Sequence, residues 1–331
     1  MALTHIKRLH AAFAALILFA AATTVPVHAE DAPYPAKPVR VVVHSAAGGG
    51  PDLLIRILAN EMARHLGQPI IVDNKPGAAG AIGISEIARA APDGYTIGFA
   101  NTTTLAINQS LYSKLPYDVE RQLAPIGLIG FVANALVVRS GSPFHSVDEL
   151  LNYAKKNPDK LSMGSSGNGG TGHLSGELFK AKAGISMLHV PYRGSAPALQ
   201  GLAAGMIDLM FENISTVLPY IQSGQMRALA VTSKDRSPFL PAVPTVMESG
   251  LPGYEMVAWS GLVAPAGTPP SIIAQLNRAL NQSLDDPAVK KRLSEMGTET
   301  STGKPERLFV LARKERPIWA EIVKFSNARM D

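Results

Sequence analysis

An apolar, β-branched run, Val39-Arg40-Val41-Val42-Val43, leads through His44 into Ser45-Ala46-Ala47-Gly48-Gly49-Gly50-Pro51-Asp52, and a helical pattern starts at Leu53. This order of strand, glycine-rich turn and helix constrains the fold more than any other feature. It predicts free backbone N–H groups at a helix N-terminus, where hydrogen bonding and the helix dipole both favour an anion. Glycines let a ligand approach the backbone closely. The device recurs as Ser162-Met163, then Gly164-Ser165-Ser166-Gly167-Asn168-Gly169-Gly170-Thr171-Gly172, then a helix from His173. Either loop alone reads as an ordinary βα turn. Two of them, on two halves of one chain, predict a cleft that grips an anion from both sides.

The rest of the chain alternates strand and helix around these loops. Apolar residues at helical spacing (Leu53, Leu54, Ile57, Leu58, Met62) predict a helix stopped by Gly67. Ile70 to Val72, a small-residue helix from Ala81 to Ala90, and Tyr95 to Ala100 complete a βαβαβ pattern, which calls for a parallel sheet covered on both faces. Leu123 to Ile129 and Asn134 to Val138 read as two further strands. Ser146-x-x-Glu149 is a capping-box signature. Beyond the second loop, Met187 to Val190, Ile207 to Phe211 and Arg227 to Val231 read as strands, alternating with helices near Ser195 to Ala204 and Val217 to Gln222. The chain from Pro269 onward reads as mostly helix, with Pro287 and Pro305 placed in first turns.

Met1 to Ala29 reads as a secretory signal peptide. Lys7 and Arg8 supply its charge, Ala11 to Val25 its apolar stretch, and Val27-His28-Ala29 a cleavage site before Glu30. The apolar stretch is short for a membrane span. Removing 29 of 331 residues leaves 302, which predicts about two domains, and lowers the formal charge from +5 to +3. No basic stripe is interleaved with aromatics, which argues against nucleic acid. The chain has no cysteine, so an exported form rests on its core without disulfides, and no lipoprotein anchor follows the apolar stretch. The expected compartment is the bacterial periplasm.

Most catalytic signatures are missing. Gly167-x-Gly169-x-x-Gly172 matches the dinucleotide fingerprint by letter, yet His189-Val190-Pro191 stands where that fingerprint needs a carboxylate. There is no phosphate-binding GxxxxGK[ST] loop, no GxSxG elbow and no HExxH helix, and the mature histidines show no metal-ligand spacing. Neither cofactor nor metal is expected. His173 opens a helix beside the second loop and has the best claim among the histidines to line the cleft. Asp52 reads equally as a first-turn acid complementing the dipole or as a ligand contact. The hydroxyls of Thr102 and Thr103 either cap the next helix or face ligand. Arg193 is either solvated or neutralises an anion. Asp208 either pins the chain or touches ligand. Trp259 reads as core or as a cleft wall.

With these residues in view, the chain resembles the periplasmic receptors of tripartite tricarboxylate transporters, the Bug family. The landmarks are Gly48-Gly49-x-x-Asp52, Val72-x-Asn74-x-Pro76-Gly77-Ala78, Pro92-Asp93-Gly94-Tyr95-Thr96 and Gly164-Ser165-Ser166-Gly167. They continue with Val190-Pro191-Tyr192-Arg193-Gly194, Gly205-x-x-Asp208, Leu229-Ala230-Val231-Thr232-Ser233, Pro244-Thr245 and Ala264-Pro265-Ala266-Gly267-Thr268-Pro269. The resemblance implies an α/β, two-lobed periplasmic-binding-protein type II fold, each lobe a mostly parallel sheet flanked by helices. Residues 30–133 plus 253–331 would form one lobe and 134–252 the other. Crossings would lie near Phe131 to Arg139 and Tyr254 to Gly261. It also implies a receptor without enzymatic activity that closes on a small carboxylate and passes it to membrane permease subunits. The expected ligand-binding residues are Ala47, Gly48, Gly49, Asp52, Thr102 and Thr103 on one side. Ser165, Ser166, Gly167, Thr171, His173, Tyr192, Arg193 and Asp208 are expected on the other. Pro51 departs from the family pattern and removes one N–H donor. The rival readings are an exported α/β hydrolase or transferase using the same cleft and, more weakly, the effector domain of a regulator.

Overall fold

β1 (Val39–Val43) lies between β2 (Ile70–Asn74) and β3 (Thr96–Asn101) and runs parallel to both. Its valines are at most 1% exposed, as expected of a central parallel strand covered on both faces, where apolar residues run on without alternating. A second parallel group repeats the plan: β5 (Ser162–Ser165) lies between β6 (Leu188–Pro191) and β7 (Leu209–Asn213). The computed structural model describes residues 34–330. The signal peptide read over Met1 to Ala29 lies outside them. From Lys37 onward the described chain is one compact unit.

Two antiparallel strands join the parallel groups. β9 (Val257–Pro265) pairs with β3, and β4 (Leu123–Arg139) pairs with β9 along Leu123–Ala133. From Asn134 on, β4 pairs instead with β7, and from Ala135 with β8 (Met226–Val231). The sheet order is β2-β1-β3-β9-β4-β7-β5-β6, with β8 and the two-residue β10 (Glu299–Thr300) also on β4. The sequence analysis reads two strands where β4 is one strand of 17 residues. Gly130, within it, allows a close approach: a Cβ there would lie 2.2 Å from the Glu299 carbonyl oxygen of β10.

Nine helices of nine or more residues flank the sheet among the described residues. They are α1 (Gly50–Leu66), α2 (Ala81–Arg89), α3 (Val147–Lys156), α4 (Thr171–Ala183) and α5 (Ser195–Ala203). α6 (Ile214–Gln222), α7 (Pro270–Asp285), α8 (Pro287–Glu295) and α9 (Arg307–Ser326) follow. Gly67 ends α1 in the left-handed conformation, φ 71°. Ser146 caps α3 by accepting the Glu149 N–H, and Glu149 reaches back to the His145 N–H, so the capping signature is real. Pro287 opens α8 as read, but Pro305 lies ahead of α9 and not in its first turn.

A single apolar core runs through the junction, taking in Leu128 from β4, Met163 from β5, Phe211 from β7, Trp259 from β9 and Trp319 from α9. A second fills the space between β4, β7 and helices α5 and α6, around Val137, Leu199, Met210 and Val217. Among the described residues, no helix is long and apolar enough to cross a membrane.

Candidate functional site

Four helices start directly beyond the carboxyl ends of parallel strands: α1 after β1, α4 after β5, α5 after β6 and α6 after β7. Open α/β sheets bind ligands at this end. Their N-cap residues are Gly49, Gly170, Gly194 and Asn213, and none makes a side-chain cap hydrogen bond. Elsewhere Ser146 caps α3 and Asp286 caps α8. A helix start without a side-chain cap leaves amide donors for a ligand; α2, α7 and α9 are uncapped as well, so it is the position at the carboxyl ends of the parallel strands that sets these four apart. A cavity of about 80 Å³ lies between Gly50 and Pro51 of α1, Asn101 at the end of β3, Trp259 and Ser260 of β9, and Asn213, Ser215 and Thr216 at the start of α6. A larger groove, about 900 Å³, is walled by residues between Gln109 and Gln122 and by Arg316, and neither glycine loop lines it.

The first loop is organised by Asp52, which is 1% exposed. Its Oδ2 accepts the Gly48 N–H at 2.8 Å and Arg56 Nε at 3.0 Å, and its Oδ1 accepts Asn74 Nδ2 at 2.9 Å. Burial alone would raise the Asp52 carboxyl, but the bonds from Arg56, Gly48 and Asn74 outweigh it and hold it below the usual range. The Gly49 N–H is also spent, on the Ala46 carbonyl at 3.2 Å. The free N–H groups expected here are therefore confined to the start of the helix. Two are used internally, Pro51 has none, and the outward donors are those of the first turn of α1. Ala47 and Gly48 stand exposed at the loop tip.

Beneath the second loop, Ser165 is fully buried. Its Oγ lies 2.6 Å from His189 Nε2, donates to the Gly167 carbonyl at 3.1 Å and receives the Gly167 N–H at 3.3 Å. The His189 ring stacks on that of His173 at 3.8 Å, with 11° between the planes. His173 Nδ1 accepts the Gly169 N–H at 3.1 Å, and its Nε2 faces Glu177 Oε1 at 3.6 Å. Burial, then the neighbouring His173, lowers His189 to about 4. Burial would raise Glu177, but His173 and Lys180 hold it below its ordinary value. The imidazole that meets the serine, His189, is not the one that faces the carboxylate, His173, so the single-imidazole relay that the hydrolase reading needs is not formed. The Ser165 hydroxyl is also enclosed and engaged by its own loop, so no substrate carbonyl reaches it.

Other expected residues are turned to structural ends. The Thr102 hydroxyl is fully buried and exchanges hydrogen bonds with the Trp259 backbone, 2.8 Å from its N–H and 3.2 Å from its carbonyl, which corrects its placement facing ligand. Thr103 is buried at the start of the helical segment that follows β3. Asp208 Oδ2 accepts the Ser162 N–H and hydroxyl, both at 2.8 Å, so it pins the start of β5 at the end far from the loop. The Tyr192 hydroxyl lies against Gly201 of α5, where a Cβ would come within 2.4 Å of it. Arg193 is exposed, and Thr171 opens α4.

The structure brings to the site two residues that their sequence context does not mark. Glu212, 4% exposed, receives the Ser195 hydroxyl at 2.9 Å, the Asn213 N–H at 2.9 Å and the Ser166 hydroxyl, and burial raises its carboxyl above the ordinary range. Asn213 Oδ1 is buried without a partner beside the cavity. The available signal was an acidic and an amide residue ending the apolar strand Leu209-Met210-Phe211. Trp259 is core, 2% exposed, and its indole N–H meets Glu315 Oε2 at 2.7 Å. Trp319 donates to the same oxygen at 3.1 Å.

The family model described as tripartite tricarboxylate transporter family receptor, TctC, matches residues 54–327. The protein BugT of Bordetella pertussis is 35% identical over 316 residues, which are 95% of this chain and 96% of that one. A Rhodopseudomonas palustris protein solved with adipate is 36% identical with a TM-score of 0.85, covering 89% of this chain and 99% of its own. MatC from the same organism, solved with bound malate, is 34% identical with a TM-score of 0.81, covering 88% and 100%. Helix starts at the carboxyl ends of parallel strands, a family model matched over residues 54–327 and a fold shared with these proteins over most of the chain make the assignment direct: this chain belongs to the tripartite tricarboxylate transporter receptor family, the Bug proteins.

Proposed function

We propose that this protein is a periplasmic receptor that captures a small organic carboxylate between its two glycine loops and hands it to the permease subunits of a tripartite transporter. The observation that carries this reading is that four helices, α1, α4, α5 and α6, start directly beyond the carboxyl ends of the parallel strands β1, β5, β6 and β7. They offer backbone donors and dipole ends to an anion where few cationic side chains compete. The relatives solved with adipate and malate support a carboxylate of that size. Cleavage after Ala29 would release the chain into the periplasm. The lobes in this reading are 30–133 with 253–331, and 134–252. Hinge closure would bend the sheet where β4 exchanges β9 for β7, between Ala133 and Asn134.

The test is a thermal-shift screen over dicarboxylates, tricarboxylates, acidic amino acids and aromatic acids. A ligand at a hundred times its Kd stabilises by about 2.7 kcal/mol. The hit is then incubated with the protein and recovered. A receptor returns it chemically unchanged, whereas recovery of a product would overturn the reading in favour of the hydrolase or transferase.

A further inference from the structure

We infer that His173 is a positioning residue for ligand capture, acting through the Gly169 amide and not by touching the ligand. The inference rests on the second glycine loop being part of the carboxylate site. An amide N–H only donates, so the 3.1 Å bond from Gly169 makes His173 Nδ1 the bare nitrogen and places the ring proton on Nε2, toward Glu177. Glu177 is itself clamped by Lys180 Nζ at 2.9 and 3.0 Å. On the other face the ring stacks on His189, whose Nε2 reaches Ser165. Lys180, Glu177 and the His189 stack thus fix both the tautomer and the plane of an imidazole whose free lone pair is spent on one loop amide.

That amide sits at a decisive point. Gly169 has φ +73°, a left-handed conformation natural to glycine and entropically costly to hold. It also packs tightly against Leu111, at the end of the short helix Asn108–Leu111: a Cβ on Gly169 would lie 2.1 Å from Leu111 Cδ2. Gly169 immediately precedes Gly170, the N-cap of α4. Its peptide orientation therefore sets where the first amides of α4 point. Without an acceptor at Nδ1, the run Gly167 to Gly170 has one pin fewer, and the donors lose their common aim.

Two substitutions separate this role from simple packing. In His173→Asn the side-chain oxygen falls where Nδ1 was and can accept the Gly169 N–H. In His173→Gln the amide falls near Nε2, keeping the Glu177 side and losing the acceptor. We expect Asn to bind the best carboxylate of the panel within about threefold of wild type, and Gln to bind about tenfold more weakly, as the loss of one hydrogen bond predicts. Native-state hydrogen exchange at the Gly169 amide should stay slow in wild type and Asn and quicken by about tenfold in Gln. Equal affinities for the two variants, or equal Gly169 exchange in them, would overturn the inference. If wild type binds no carboxylate, the functional reading fails, and Gly169 exchange still decides whether His173 holds the loop.

Discussion

Replacing Asp52 with alanine removes the acceptor on which the first glycine loop is built. Three donors lose their partner: the Gly48 N–H, Asn74 Nδ2 and Arg56 Nε. A hydrogen bond to a charged acceptor contributes roughly 1.5–3 kcal/mol. The lower end applies to Gly48 and Asn74, which water can reach once the carboxylate is gone, and together they give about 3 kcal/mol. The Arg56 side chain is 49% exposed, so its ion pair is screened by solvent and is left out of the sum. At roughly 2.1 cal/mol/K per residue over about 300 ordered residues, a loss near 3 kcal/mol lowers Tm by about 5 °C. Asp52→Asn keeps one oxygen for Gly48 and should lose about half as much. Differential scanning calorimetry at pH 7, with urea titration as a second probe, reads both. A Tm for Asp52→Ala within about 1 °C of wild type would refute the view that this carboxylate organises the loop.

Further outcomes follow from the same geometry. Gly49 has φ −73°, so Gly49→Val is conformationally tolerable, but its Cβ lies 3.2 Å from the Ala46 carbonyl and intrudes where an anion approaches. Calorimetric titration should show at least about a hundredfold loss of affinity, whereas Arg193→Ala, at an exposed site, loses less. Gly172→Ala places a Cβ 2.3 Å from the Phe211 carbonyl, pushes α4 off the sheet and should cost about 1–3 kcal/mol by urea unfolding. Ala79 is held at φ 47°, so Ala79→Gly relieves left-handed strain and should raise stability by about 1 kcal/mol. His44 is half-buried beside Phe99, and desolvation of its ring lowers it to about 4. Its contribution is complete above about pH 6.5 and is lost at about 1.4 kcal/mol per unit as the pH falls toward 4. A His44→Leu variant with the same acid slope as wild type would contradict this.

The sequence by itself determined what local patterns encode. The valine run of β1, the period of α1, the Ser146 capping box and the Gly67 stop each depend on residues within one or two turns of each other, and each stands in the structure as read. The two glycine loops were legible for the same reason, and so was the family, through landmarks spread along the chain. Only the tertiary structure decided what the polar residues around those loops do. Thr102 meets Trp259 across 157 positions, Ser162 meets Asp208 across 46, and Ser165 meets His189 across 24. Each has spare hydrogen-bonding capacity that the sequence leaves unassigned. Buried polar groups must be paired, and the nearest donor or acceptor in space wins whatever its distance along the chain. Hence Asp52 and His173, read as possible ligand contacts, spend themselves on loop amides. Glu212 and Asn213, invisible at the end of an apolar strand, come to lie at the crevice because β7 ends beside β5.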